Sequence, residues 1–293
     1  LTNALDEAAH EIRRRALVIL AEIGATADRP AVFPALQNVL RDPEAALRFR
    51  AEGVLARMGE AVIHNINMFQ ALLNTLRDED SGVRAKAVEA LGELGETVAR
   101  SPQVLDTLVA ALVDVDGGVR YGAARALAQI GEAVAGQPEA VPKLVATLQD
   151  ANRLARFYAA LALTQIGEAA AAHPKVNVIV ALVKTLEDEE SWVRAQAVEA
   201  LGEMNLTKYP EVLEALKHCA QHDPDIGMCG KVAEVAGAAW VAANYPNMFP
   251  RLQQALRHED VWVRSEALGV LGKLGKVAAQ NTEVLTELIK AFY

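Results

Sequence analysis

The sequence predicts an all-α fold, a right-handed α–α superhelix in which one array of stacked helix pairs occupies residues 1–293. Three observations carry this expectation. A pair formed by an apolar residue and arginine recurs along the chain at Ile12-Arg13, Leu47-Arg48, Val83-Arg84, Val119-Arg120, Ala155-Arg156, Val193-Arg194 and Val263-Arg264. Around every recurrence, apolar residues fall on one stripe of a 3.6-residue period, which is the mark of an amphipathic helix. No stretch alternates with period two between hairpin turns, so strands have no competing signal.

The repeat length follows from the arginines, which are 35, 36, 36, 36, 38 and then 70 residues apart. The last gap holds two periods, so a degenerate unit is expected near residues 210–243, where the pattern reads Cys229-Gly230. That unit is expected to lack the arginine, the aspartate six residues ahead of it and the closing glycine. The array then has about eight units. Internal repetition at this period is the signature of a solenoid, whose units cannot bury their apolar faces alone.

Each unit reads as two helices. In the arginine segment, helix B, an alanine stands three residues after the arginine (Ala16, Ala51, Ala87, Ala123, Ala159, Ala197, Ala267) and a leucine seven after (Leu20, Leu55, Leu91, Leu127, Leu163, Leu201, Leu271). Eleven after stands a glycine, or Asn205 in one unit, and both residue types tolerate the left-handed conformation that closes a helix. Ahead of it lies a second amphipathic run, helix A, for instance Val104-Leu105-Leu108-Leu112. Pro102, Pro138 and Pro174 are expected to open such runs, since proline is tolerated in a first turn. Six residues before the arginine, in the A–B turn, stand Asp42, Asp78, Asp114, Asp150 and Asp188. Thr282 to Tyr293 reads as a helix A with no helix B after it, as in a fragment of a longer protein.

The run Leu76-Arg77-Asp78-Glu79-Asp80-Ser81-Gly82-Val83-Arg84, followed by Ala87, Leu91 and Gly95, resembles the HEAT repeat. It is most similar to the bacterial subgroup named after phycobilisome lyases. The resemblance implies that the recurring aspartates and arginines bond from one repeat to the next as a structural ladder. It also implies a scaffold of the kind found in multidomain bacterial signalling NTPases of the NACHT type.

Charge and composition narrow the function. A net charge of −9 disfavours a nucleic-acid partner, because that binding is driven by clustered Lys and Arg. No apolar run is long enough to span a bilayer. Two cysteines, Cys219 and Cys229, build no disulfide framework and point to a reducing cytoplasm. Those cysteines stand near His218 and His222, which share a helix face, but the spacing matches no common zinc signature. His-Glu pairs occur only at His10-Glu11 and His258-Glu259, at unlike phases of the repeat, so they cannot assemble a di-iron centre of the deoxyhypusine hydroxylase kind. No phosphate-cradling glycine loop or nucleophile elbow occurs. No cofactor is expected.

A non-enzymatic protein–protein interaction scaffold or ligand-sensing module is therefore expected, with a protein or peptide as partner on the concave face. A phycobilin lyase or bilin-handling chaperone is the alternative that the subgroup name suggests, although a fold carries no activity with it. Helix B lines the concave face in such arrays, and residues two, five and nine after the arginine point outward. In most units that stripe is charged, and in the fifth it is Tyr158 and Leu161. Tyr121, Arg125, Phe157, Tyr158 and Leu161 then form the expected binding patch, with Gly122 opening space beside it. Trp192 and Trp262, two residues before their arginines, are expected to pack in turns.

Overall fold

The computed structural model describes residues 10–23, 32–99, 101–204, 208–245 and 247–290. Among these residues there is helix and turn and no strand. The expected all-α stack of helix pairs is what the chain forms. Its contacts divide it into two compact units, residues 1–166 and 167–293.

In the N-terminal unit the paired helices are α1 (His10–Ile23), α2 (Val32–Val39), α3 (Ala45–Met58), α4 (Ile66–Thr75), α5 (Ser81–Glu93), α6 (Pro102–Ala111), α7 (Gly117–Ile130), α8 (Ala140–Thr147) and α9 (Arg153–Ile166). Odd numbers are helices B and even numbers helices A. Successive helices B pack side by side, α1 on α3, α3 on α5, α5 on α7 and α7 on α9. The alanines and leucines of the repeat are the reason. Ala51, Ala87, Ala123 and Ala159 are fully buried, as are Leu55, Leu91, Leu127 and Leu163. Small residues at these positions let neighbouring backbones approach, while the leucines fill the space between layers.

The ends of the helices follow from their flanking residues. Asp80 accepts from the Val83 amide (3.0 Å) and Asp116 from the Gly118 and Val119 amides, satisfying donors that a helix start leaves unpaired. Gly59, Gly95, Gly131, Gly167 and Gly275 close their helices with positive φ between 49° and 73°, as the recurring glycine predicted. Pro102 opens α6, but Pro138 and Pro174 lie in the turns before α8 and before the helix Val178–Thr185 and do not start a helix.

The ladder is present. Arg48 donates from Nε and Nη2 to the two carboxylate oxygens of Asp78 (2.8 and 2.7 Å), and Arg84 does the same to Asp114 (2.9 and 2.8 Å). Arg13 pairs with Asp42, and Arg120 with Asp150. Each arginine also turns back, with Nη1 of Arg48, Arg84 and Arg120 donating to the carbonyls of Asp42, Asp78 and Asp114. Burial works against the charge on Asp78, and the bonds from Arg48 and the Asp80 amide overcome it, holding the carboxyl below its ordinary value. Bidentate pairing of this kind fixes geometry as well as energy.

The C-terminal unit contains α10 (Val178–Thr185), α11 (Ser191–Gly202), α12 (Pro210–His222), α13 (Gly227–Ala236), α14 (Met248–Leu256), α15 (Val261–Leu274) and α16 (Thr282–Lys290). Asn205 and Ala291-Phe292-Tyr293 lie outside the described residues. The degenerate unit departs from the expectation in two of its three parts. It keeps the turn aspartate as Asp223, which receives both Nε and Nη2 of Arg194 (2.7 and 2.8 Å). It also keeps a closing glycine: α13 ends early, after Ala236, on Gly237 with φ 93°. Only the arginine is missing: the expected phase falls on Gly230 and the residue six after Asp223 is Cys229, and both are buried. The arginine's task passes to Arg251 of α14, which donates to the carbonyls of Asp223 (2.7 Å) and Gln221 (3.1 Å) and to the Tyr245 hydroxyl (2.7 Å).

Candidate binding surface

The helix-B face of the N-terminal unit gathers all five residues of the expected patch. Tyr121 and Arg125 stand one turn apart on α7, and Phe157, Tyr158 and Leu161 stand together on α9. The Tyr121 and Tyr158 rings meet at 5.4 Å, and Phe157 meets Tyr158 edge-on at 5.1 Å. Such tilted contacts are the favourable arrangement for aromatic pairs. Burial opposes the charge on Arg125, and the neighbouring Tyr121, Tyr158 and Glu89 together outweigh the burial, so the guanidinium stays firmly cationic. All five side chains are half-buried, neither core nor fully solvated.

Two clefts open on this face. The first, about 230 Å³, is lined by Phe49, Lys86, Glu89, Tyr121 and Arg125 over a floor of Ala85, Gly118, Gly122 and Ala126. The second, about 480 Å³, lies over α1, α3 and α5 and includes Val18, Phe49, Arg50, Gly53, Arg57, Lys86 and Glu89. They share Phe49, Lys86 and Glu89, so they form one trough with a divide. Lys86 sits 6.0 Å from the Phe49 ring centre and 2.8 Å from the Glu89 carboxylate.

Several expectations need correction. Gly122 lines the first cleft, yet the room for its missing Cβ is filled by Val88 Cγ1, 3.3 Å from where that atom would stand. Its glycine therefore serves the close approach of α7 to α5, not a pocket. Gln196, at an outward phase of the repeat, is buried. Trp262 is 82% exposed and packs in no turn, while Trp192 is half-buried and donates to Glu190 (3.0 Å). Phe49, at the same phase as Tyr121 and Phe157, lines the cleft and joins the expected patch residues.

The sequence reading also missed Glu52 on α3. Its carboxylate oxygens are wholly buried and make no hydrogen bond among the described residues. Burial pushes the carboxyl up to about 8, and contact with Thr75 offsets this only in part, because the Thr75 hydroxyl proton goes to the Leu72 carbonyl (2.7 Å). The signal was in the sequence. At the same phase other repeats carry Leu17, Val88, Ala124, Ala160 and Val198, all buried.

The histidine–cysteine group is dispersed. His218 and His222 stack at the surface with ring centres 4.4 Å apart, while Cys219 and Cys229 are buried. Burial pushes their thiols up to about 12 and about 11. Among the described residues, no three His, Cys, Asp or Glu side chains are grouped to hold a metal ion. No described helix is long and apolar enough to cross a membrane.

Stacked helix pairs tied by an aspartate–arginine ladder, with a grooved helix-B face, define a repeat solenoid. Residues 69–137 and 141–228 match the family described as HEAT repeats, and residues 12–42 match the PBS lyase HEAT-like repeat. The chain belongs to the HEAT-repeat family. No curated protein matches it. Among solved structures, an engineered protein from a structural genomics consortium is 23% identical with a TM-score of 0.58, over 93% of this chain and 77% of that one. Computationally designed armadillo repeat proteins for modular peptide recognition are 21% identical with a TM-score of 0.54, over 70% of this chain and 98% of that one. At these identities the likeness is one of fold.

Proposed function

We propose that this chain is a non-enzymatic scaffold that binds a protein or peptide on the helix-B face of its N-terminal unit. The observation that carries the reading is the contiguous set Tyr121, Arg125, Phe157, Tyr158 and Leu161 beside a cleft. Aromatic residues next to arginine in a partly desolvated groove are the side chains that dominate binding energy at interfaces. The designed armadillo proteins of similar fold were made for peptide recognition, which supports a peptide as the ligand class. The smaller cleft, about 230 Å³, has the size for a side chain of a bound segment and lies below the range of cofactor pockets, about 300–1,000 Å³.

Panning a phage-displayed random dodecapeptide library on the chain tests this. Enriched peptides whose binding falls by about 1–3 kcal/mol in Tyr158→Ala or Arg125→Ala support it. No enrichment, or enrichment indifferent to both substitutions, overturns it. A second reading, a bilin lyase or bilin-handling chaperone, is favoured by the match of residues 12–42 to the PBS lyase HEAT-like repeat. Incubation with a bilin and an apo-phycobiliprotein, followed by absorbance, separates the two, since only the second reading expects a shifted chromophore band.

A further inference from the structure

We infer that the trough over α3, α5 and α7 is built for an extended acidic peptide segment, with a carboxylate seated on Arg125 between Phe49 and Tyr121. The inference rests on the binding reading above and names the chemistry of the partner. It follows from a charge count within the smaller cleft. Three of its lining residues are charged: Lys86, Glu89 and Arg125. Lys86 and Glu89 lie 2.8 Å apart and neutralise each other. Arg125 is half-buried, one helical turn from the neutral phenol of Tyr121. No carboxylate among the described residues lies within ion-pair distance of it. The lining therefore carries a net positive charge, with Glu89 bonded to Lys86 and only a longer-range influence on Arg125, and a carboxylate is the group the half-buried guanidinium fork matches best.

The surroundings select a peptide side chain over a free anion. Phe49 and Tyr121 line the cleft, and the small residues Ala85, Gly118, Gly122 and Ala126 between them let a chain lie close to the helices. Beyond the Phe49–Lys86 divide, the larger cleft presents Arg50 and Arg57, both exposed and neither ion-paired among the described residues. Arg57 donates only to the Ala21 carbonyl (3.3 Å). Glu22 and Glu93 stand at the far end of their helices, at the phase of Arg57, so the cations Arg50 and Lys86 line the rim nearest the aromatic residues. A segment with acidic residues beside apolar ones fits both clefts at once.

The test starts from the panned dodecapeptides, synthesised with a fluorescein label and measured by anisotropy. Expected are sequences enriched in Asp or Glu beside Phe, Tyr or Leu. Replacing their acids by Asn or Gln should weaken binding to the unaltered chain roughly ten-fold or more. Arg125→Gln should lose the same factor, Arg125→Lys should lose part of it, and neither should distinguish the acid-free peptides. Peptides that bind without acidic residues, or that bind Arg125→Gln as tightly, would overturn this inference and leave the peptide-binding reading standing. If no peptide binds at all, the binding reading itself fails. Because the acid-to-amide change is made in the peptide, a variant that folds poorly cannot mask the result.

Discussion

The turns of the N-terminal unit and the turn at Asp223 in the C-terminal unit meet one requirement with different residues. In the first, Arg48, Arg84 and Arg120 each bind the aspartate of the next repeat and the carbonyls of their own turn, as Arg84 binds Asp114 and the Asp78 carbonyl. In the second, Arg194 still binds the Asp223 carboxylate, but the Asp223 carbonyl is held by Arg251 from a helix A. The repeat therefore demands a satisfied turn, and the position of the arginine is negotiable. Buried carbonyls and carboxylates cost free energy when unpaired, so a cationic donor is retained even where the motif has decayed.

The largest expected effect breaks this comparison at its shared point. Arg194→Ala strands the carboxylate of Asp223, which is only 7% exposed, and should destabilise the C-terminal unit by about 3–5 kcal/mol. Urea unfolding should show it, and the double variant Arg194→Ala with Asp223→Ala should recover part of the loss. Full stability in the single variant would mean that the ladder contributes nothing there.

Arg251→Met comes next. It keeps the bulk of the side chain and removes the donors to Asp223, Gln221 and Tyr245, and should cost about 2–3 kcal/mol. Amide exchange of the 223–226 turn should accelerate in step. The equivalent exchange at the Asp78 turn should not move, because Arg84 supplies its donor.

Glu52 supplies a third contrast, between a carboxylate that is paired and one that is not. Asp78 is held below its ordinary value, whereas Glu52 is pushed up to about 8. Between the ordinary glutamate value of 4.5 and about 8, the folded chain keeps a proton on Glu52 that the unfolded chain releases. Stability therefore falls as pH rises through that window, by at most about 1.4 kcal/mol per pH unit, and levels off above it. Asp78 acts in the opposite sense, with stability lost as pH falls through its depressed value. Glu52→Val should stabilise the chain by about 1–3 kcal/mol at neutral pH and flatten the slope between pH 5 and 8. Thermal melts at several pH values check this, and an unchanged slope would show that Glu52 finds a partner.

The smallest expected effect concerns the binding face. Tyr158→Ala removes two ring contacts but little core, and should shift stability by about 1 kcal/mol or less. A loss of several degrees in Tm with unaltered peptide affinity would assign the ring to packing between helices.

The sequence by itself determined the repeat, its helices, its closing glycines and the residues of the aromatic patch. These are local or periodic matters: a 3.6-residue stripe, a recurring residue at one phase and a left-handed glycine need no knowledge of neighbours. The pairing of Arg48 with Asp78 was open to inference through the resemblance of the recurring motif to the HEAT repeat, which implies such a ladder. What recurs only once was decided by tertiary structure. Arg251 has no counterpart in the motif, so nothing but the fold could bring it to the Asp223 carbonyl. Gly122 has the same standing, since its use depends on Val88 of the neighbouring helix and not on its own phase. The trough itself arises where Phe49, Lys86, Tyr121 and Arg125 from three helices converge. Periodicity fixes which way each side chain points, but the width of a groove depends on how closely two backbones pack, and that is set by contacts distant in the chain.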